Sequence, residues 1–122
     1  MKKFIILLFI SMSSVAHEMT PTYPSWSPSH IDKVVKTQMR IFNQRADVEY
    51  FEIQVFTPDW ESLGFVSTYN IINVPYLETL DFDVYMLEAT SISAEYICTT
   101  SKIRSGDIIQ TSLASKICSK IK

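Results

Sequence analysis

The sequence predicts an all-β fold made of a single β-sandwich, and three observations favour it. Several segments alternate apolar and polar side chains with a period of two, which is typical of strands that bury one face. These segments are rich in β-branched and aromatic residues. Polar or proline-containing turns separate them at intervals of about 8 to 12 residues, the spacing of strands in a sandwich.

The first two predicted strands are the clearest. One runs from Val35 to Ile41 and the other from Val48 to Thr57, with the polar stretch Asn43 to Asp47 between them. In each, every second side chain is apolar, so each strand buries one face. We expect the two strands to form a hairpin or to be neighbours in one sheet.

Three further strands follow. Residues 60–64 form a connection to a β-branched and aromatic run at 65–74, predicted to be one strand. Residues 78–87 alternate again, and after a loop at 88–93 a short strand is predicted at 94–99.

The last segment fits two structures. After a turn at 105–107, Leu113, Ile117 and Ile121 recur at helical spacing, yet they also alternate with polar residues. We predict a strand, because β-branched residues precede the segment. Residues 31–122 then hold about seven strands, the pattern of an immunoglobulin-like sandwich. The alternative is a small α+β fold with a C-terminal helix.

The first 16 residues are predicted to be a secretory signal peptide. Two lysines precede an apolar run at 4–10, and small residues end at Ala16, where cleavage is expected. The apolar part is shorter than the ~20 residues that a membrane-spanning helix needs. We therefore expect an exported, periplasmic or extracellular protein of 106 residues, with no stable membrane insertion after cleavage.

The chain has two cysteines, Cys98 and Cys118, and in an exported protein they predict one disulfide. Closing this loop stabilises the domain by about 3 kcal/mol in the chain-entropy model. A simple hairpin about Gly106 would pair Cys98 with residue 114. The connection must therefore be longer or bulged, or the cysteines must bridge by another route.

Composition and motifs argue against several functions. The net charge is −2 and becomes −4 without the two leader lysines, so nucleic acid is not an expected partner. Two glycines cannot build a phosphate-binding loop. Both histidines, His17 and His30, lie in a proline-rich stretch rather than near an oriented nucleophile. We expect a non-enzymatic protein without a cofactor.

The leading functional hypothesis is binding of another protein. Residues 17–30 contain three prolines and predict an edge strand or a loosely held arm, in which Trp26 either anchors the arm or contacts a partner. A basic C-terminal strip, with Lys116, Lys120 and Lys122, offers a contact for an acidic partner or solvates an edge strand. The arm and this strip are the expected contact regions.

An alternative is a periplasmic Cu(II)-binding protein. Cleavage after Ala16 makes His17 the first residue, so its ring and its α-amine together resemble the amino-terminal histidine brace of exported copper proteins. His30 would be the second histidine ligand.

The segment from Met19 to about Ile103 resembles the amino-terminal immunoglobulin-like domain of PapD-type periplasmic pilus chaperones. The resemblance rests on "MTPTYP", "KVVKTQMRIFN", "VEYFEIQVF" and "VPYLETLDFDVYM". It implies the fold and a habit of binding partners at sheet edges. The chaperones' second domain has no counterpart, and neither Arg40 nor Lys102 matches their basic carboxylate-binding pair. "HEMTPTYP" and "ICSKIK" are also similar to uncharacterised exported proteins of tailed phages, which makes a phage-encoded accessory protein a further reading.

Overall fold

The computed structural model describes residues 17–102 and 115–122, which form nine strands and one short helix. The strands are β1 (Glu18–Thr20), β2 (Ser27–Pro28), β3 (Val34–Phe42), β4 (Tyr50–Phe56), β5 (Ser62–Leu63), β6 (Ile71–Asn73), β7 (Thr79–Leu87), β8 (Tyr96–Lys102) and β9 (Lys116–Lys120). The helix α1 (Glu88–Ser91) is a single turn between β7 and β8. The predicted all-β class is confirmed.

The strands form two antiparallel sheets. In sheet 1, β3 pairs with β7 along its whole length on one side and with β1 and β2 on the other. In sheet 2, β4 pairs with β8, which pairs with β9, while β5 and β6 share the opposite side of β4. The two sheets form a β-sandwich, and their strand order matches the A-B-E and C-F-G order of immunoglobulin-type sandwiches, with β7 at position E.

The two sheets bury a common apolar layer. Alternate residues of β3 and β7 face alternate residues of β4 and β8, as the period of a strand requires. The most deeply buried apolar side chains of this layer are Met39, Ile41, Phe51, Ile53, Val55, Val84 and Ile97. Burying each one stabilises the fold by about 1.5–3 kcal/mol relative to exposure, so this layer is the main stabilising element.

The expectation that β3 and β4 are neighbours was wrong, because the chain crosses from sheet 1 to sheet 2 between them. Asn43 holds the crossing: its Nδ2 donates to the carbonyls of Val48 (2.7 Å) and Val74 (2.8 Å), and its Oδ1 accepts the N–H of Arg45 (2.8 Å). Alternation shows which face of a strand is buried but not which strand lies beside it.

The single strand predicted at 65–74 was also wrong, because this run serves both sheets. Val66 makes one bridge to Tyr85 of β7 in sheet 1, whereas β6 pairs with β4 in sheet 2. The polar residues between them carry the crossing, and Ser67 Oγ donates to the Asp83 carbonyl (2.7 Å). The loop predicted at 88–93 begins with the helical turn α1, in which Ser91 Oγ donates to the Glu88 carbonyl (2.7 Å).

The proline-rich stretch 17–30 is an edge strand in two pieces, β1 and β2, both paired with β3. At the other end of the chain, β9 confirms the predicted C-terminal strand over Lys116–Lys120, so the helical alternative was wrong there. The signal peptide at 1–16 and the turn at 105–107 lie outside the described residues. No helix in the described ranges approaches the length and hydropathy of a membrane span.

Candidate functional site

The predicted disulfide is confirmed and belongs to the outer face of sheet 2. Cys98 and Cys118 lie directly opposite each other in β8 and β9 and are bonded. Of the possibilities that the sequence left open, this register matches a longer connection than a simple hairpin about Gly106. Residues 103–114 of that connection lie outside the described ranges. The bond fixes β9 to the sheet and so fixes the lysines that β9 carries.

Five side chains beside the disulfide form a surface that we call the aromatic–basic patch: Phe56, Trp60, Tyr96, Lys116 and Lys120. Phe56 pairs with Tyr96 across β4 and β8, and Tyr96 pairs with Lys120 across β8 and β9. Trp60 comes from the turn between β4 and β5, and Lys116 is the first residue of β9. The sheet register therefore places three of the five in one row.

A hydrogen-bonded turn positions Trp60. The carbonyl of Thr57 accepts the N–H of Trp60 (2.9 Å), and the N–H of Thr57 donates to the carbonyl of Glu61 (2.9 Å). Pro58 follows Thr57 at a position that suits its fixed φ. Trp60 itself has φ 64°, in the left-handed region. A bulky residue held there costs about 1–3 kcal/mol of backbone strain.

The rings of the patch pack on one another and on a lysine. Trp60 stacks on Tyr96 with ring centroids 4.3 Å apart and planes 3° apart, and Phe56 lies tilted to Trp60 at 5.8 Å. Lys116 Nζ lies 4.1 Å from the Phe56 centroid and 5.0 Å from that of Trp60. The ammonium adds a cation–π contact of about 0.5–1 kcal/mol at such an exposed site. The contacts hold the Trp60 ring rigidly.

The patch exposes an aromatic ring and two ammonium groups. Trp60 keeps 50 % of its surface accessible although it is stacked. Lys120 Nζ lies 3.5 Å from the carboxylate of Glu95, and Lys116 has only ring contacts among the described residues. Asp59 and Glu61 flank Trp60 in the turn. An immobilised aromatic ring beside cations is suited to binding an acidic, partly apolar surface.

The free edge of β9 is less available than the sequence predicted. The N–H of Lys120 donates to the carbonyl of Thr22 (3.1 Å), and the N–H of Lys122 donates to that of Pro24 (2.9 Å). The stretch 17–30 therefore contacts β9 of sheet 2 while its strands pair with β3 of sheet 1. It is a seam that closes one side of the sandwich, so the lysines offer their side chains rather than a strand edge.

Trp26 belongs to this seam. Its side chain is half-buried and packs against the apolar layer between the sheets. Its indole Nε1 is buried without a hydrogen-bond partner in the part of the chain that the structure describes. Trp26 is thus placed as an anchor of the arm rather than as an exposed contact for a partner.

His17 is buried in the seam, 1 % exposed. Its Nε2 lies 2.8 Å from Thr99 Oγ1 and 3.2 Å from the Thr99 carbonyl, while Nδ1 lies 3.2 Å from Ser115 Oγ. Burial lowers the pKa of the imidazole, Arg45 lowers it further, and the bond to the Thr99 carbonyl opposes them. His17 is therefore a buried structural group with hydrogen-bond partners at both ring nitrogens.

The structure does not bring His17 and His30 together. His17 precedes the residue of β1 that pairs with Phe42, and the exposed His30 follows the residue of β2 that pairs with Val35. At ~3.3 Å per residue along β3 they are more than about 20 Å apart. They cannot ligate one copper ion in this fold, and no trio of metal-binding side chains occurs among residues 17–102 and 115–122.

Of the residues in the aromatic–basic patch, the sequence indicated Lys116 and Lys120 but not Trp60 and Tyr96. The available signal was an aromatic residue directly after Pro58 and Asp59, at a turn position where Gly or Asn is usual. This signal alone does not identify the site, because Tyr96 comes next to Phe56 only through the pairing of β4 with β8.

Fold and site together define the class of protein: a small disulfide-bonded β-sandwich that exposes a rigid aromatic and basic surface. No protein-family model matches the chain, and no curated protein is significantly similar to it in sequence. The geometry of the patch is therefore the basis on which a function is inferred.

Proposed function

We propose that this chain is an exported, non-enzymatic β-sandwich module that binds another protein through the aromatic–basic patch. One observation carries the proposal: Trp60 is held half-exposed in a strained left-handed conformation and is stacked on Tyr96. Strained residues cluster at functional sites, where the strain positions a group for its task.

The exposure of Trp60 favours a binding role. The backbone strain of about 1–3 kcal/mol offsets part of what burial of one half of the ring and the stack on Tyr96, about 0.5–1.5 kcal/mol beyond burial, contribute to the free protein. The other half of the ring remains exposed. A partner that covers the exposed half of the ring gains a contact whose conformational entropy is already lost.

The two lysines of the patch favour an acidic partner surface. Lys116 Nζ lies over the rings of Phe56 and Trp60, Lys120 lies opposite Tyr96, and both belong to the disulfide-linked strand β9. Opposite charges across an interface raise the rate of association and orient the partner. We infer that the partner presents carboxylates around an apolar surface that receives Trp60.

Export is part of the proposal. Its supports are the leader-like pattern of residues 1–16 and the intramolecular disulfide, since disulfides persist mainly in oxidising compartments. A chaperone-like or phage-encoded accessory protein is compatible with such a module. Both of these roles share one requirement, the capture of another protein outside the cytoplasm.

The test is affinity capture from the native extracytoplasmic fraction with two matched variants. Trp60→Gly removes the ring and relieves the positive φ, so the protein should stay folded and lose its captured partner. Leu77→Gly is the control, because Leu77 is also exposed (59 %) with a positive φ of 62° but lies in the connection between β6 and β7. Equal capture by both variants would refute the role of the patch.

A further inference from the structure

Strand β7 leaves the outer edge of sheet 1 largely unpaired. β3 occupies one side of β7, and on the other side the described residues provide one bridge, where Val66 and Tyr85 exchange two backbone hydrogen bonds of 2.8 Å. In the immunoglobulin-type order a further strand, D, pairs with E at this edge. Within residues 17–102 and 115–122, that place holds only Val66.

The bridge fixes which backbone groups of β7 face outwards. Because Tyr85 bonds to Val66, the groups of Asp83 and Asp81 point the same way, since the direction alternates along a strand. The carbonyl of Asp83 accepts the hydroxyl of Ser67. In residues 17–102 and 115–122, the N–H of Asp83 and both backbone groups of Asp81 have no protein partner. An antiparallel strand could bond to all three groups.

The side chains at this edge indicate which residue types an added strand would place on its inner face. Phe82 and Val84 are buried, 5 % and 0 % exposed, but Leu80 on the same face is 36 % exposed. An added strand with apolar residues on its inner face would cover Leu80. The open stretch of the edge, Thr79 to Asp83, thus contains one apolar side chain, Leu80, that is incompletely covered.

The outer face of the same stretch is acidic. Asp81 lies opposite Arg40 and pairs with it through contacts of 2.6 and 3.2 Å. Asp83 lies opposite Gln38 and has no ion pair among the described residues. A second copy of β7 would place aspartates opposite aspartates, which is destabilising. A segment with basic residues on that face would instead be complementary to Asp83.

We propose that the edge of β7 accepts an extended segment of a partner protein, in antiparallel pairing, with basic and apolar residues in alternation. The basic residues lie opposite Asp81 and Asp83 and exchange the backbone hydrogen bonds, while the apolar residues cover Leu80. This surface belongs to sheet 1, so it is separate from the aromatic–basic patch on sheet 2. The occupant takes the position of strand D in the immunoglobulin-type order.

The probe is a short capped peptide of alternating Lys and Val, long enough to span Thr79 to Asp83, titrated against the oxidised protein. Nuclear magnetic resonance should show its binding and slowed hydrogen exchange at the amides of Asp81 and Asp83. N-methylation of the lysines removes the N–H groups that face β7 and should weaken binding at least about tenfold. N-methylation of the valines, whose N–H groups face away, should change affinity less than about twofold.

The second part of the test reverses the charge of one residue at this edge. Asp83→Lys should weaken the Lys–Val peptide about fivefold and strengthen an otherwise identical Glu–Val peptide. Asp32→Lys, an exposed substitution in the turn before β3, is the control with the same change of charge. The proposal is overturned if the Lys–Val peptide does not bind, if the two N-methylated peptides bind equally, if Glu–Val binds wild type equally, or if β7 pairs with a second copy instead.

Discussion

Replacing Asn43 with alanine tests whether the crossing between the sheets depends on one buried amide. Asn43 is 0 % exposed, and its side chain bonds to the carbonyls of Val48 and Val74. The backbone bonds of Asn43 to Leu77 and Glu78 do not involve the side chain. The substitution therefore removes the amide contacts and leaves the local ladder in place.

The expected loss follows from the groups left behind. Each buried polar group that loses its partner costs about 1–3 kcal/mol. Val48 and Val74 are 3 % and 1 % exposed, so water does not readily replace the amide at either carbonyl. The two carbonyls alone predict a loss of roughly 2–6 kcal/mol, a large part of the ~5–15 kcal/mol that stabilises a typical domain. The N–H of Arg45 also loses its acceptor.

The assay is equilibrium unfolding of the oxidised protein in urea, followed by tryptophan fluorescence. Asn70→Ala is the matched control, because the Asn70 side chain is exposed and should change the free energy of unfolding by less than about 0.5 kcal/mol. Asn43→Asp, which keeps an acceptor but loses both donors, should destabilise at least as much as alanine. A loss below about 1 kcal/mol in Asn43→Ala would show that the crossing does not depend on this amide.

The remaining predictions concern the disulfide and the seam. Replacing Cys98 and Cys118 together with alanine should lower the free energy of unfolding by about 3 kcal/mol, and an unchanged urea midpoint would contradict this. Because burial lowers the folded-state pKa of His17 below its ordinary 6.5, the unfolded chain takes up the proton first. Stability should thus be complete above about pH 6.5 and fall as the pH drops below it, and His17→Gln should flatten that slope; a slope unchanged in the variant would exclude His17 as the cause. Deleting residues 17–28 should unfold the domain, and near-ultraviolet circular dichroism like that of wild type would show that the arm is dispensable.

Local pattern predicted the long strands well, for a physical reason. β3, β4 and β7 each bury one face, and period-two alternation reports that burial directly. Partner choice is a property of the whole chain, so alternation could not show that β3 pairs with β7 or that β4 lies in the other sheet. The single strand predicted at 65–74 was wrong for the same reason, because this β-branched stretch is divided between two sheets.

The candidate site was predictable in its charges and not in its geometry. Lys116 and Lys120 stand out because a basic cluster in an acidic chain is visible in composition. Trp60 and Tyr96 meet through a strand register and a positive φ, neither of which leaves a local mark in the sequence. His17 was a metal ligand in the alternative hypothesis, and its burial against Thr99 and Ser115 depends on contacts distant in sequence that no local pattern shows.

The seam also sets the order in which this chain can fold. His17 and Ser115 are 98 residues apart in sequence, and the bond from Lys122 to Pro24 likewise joins the two ends of the domain. Such distant contacts make folding slow, because chain entropy is lost before the contacts form. A chain exported amino terminus first would bring β1 across early and leave it without β9 until the last residues follow. The contacts that join the two ends of the domain would then form last.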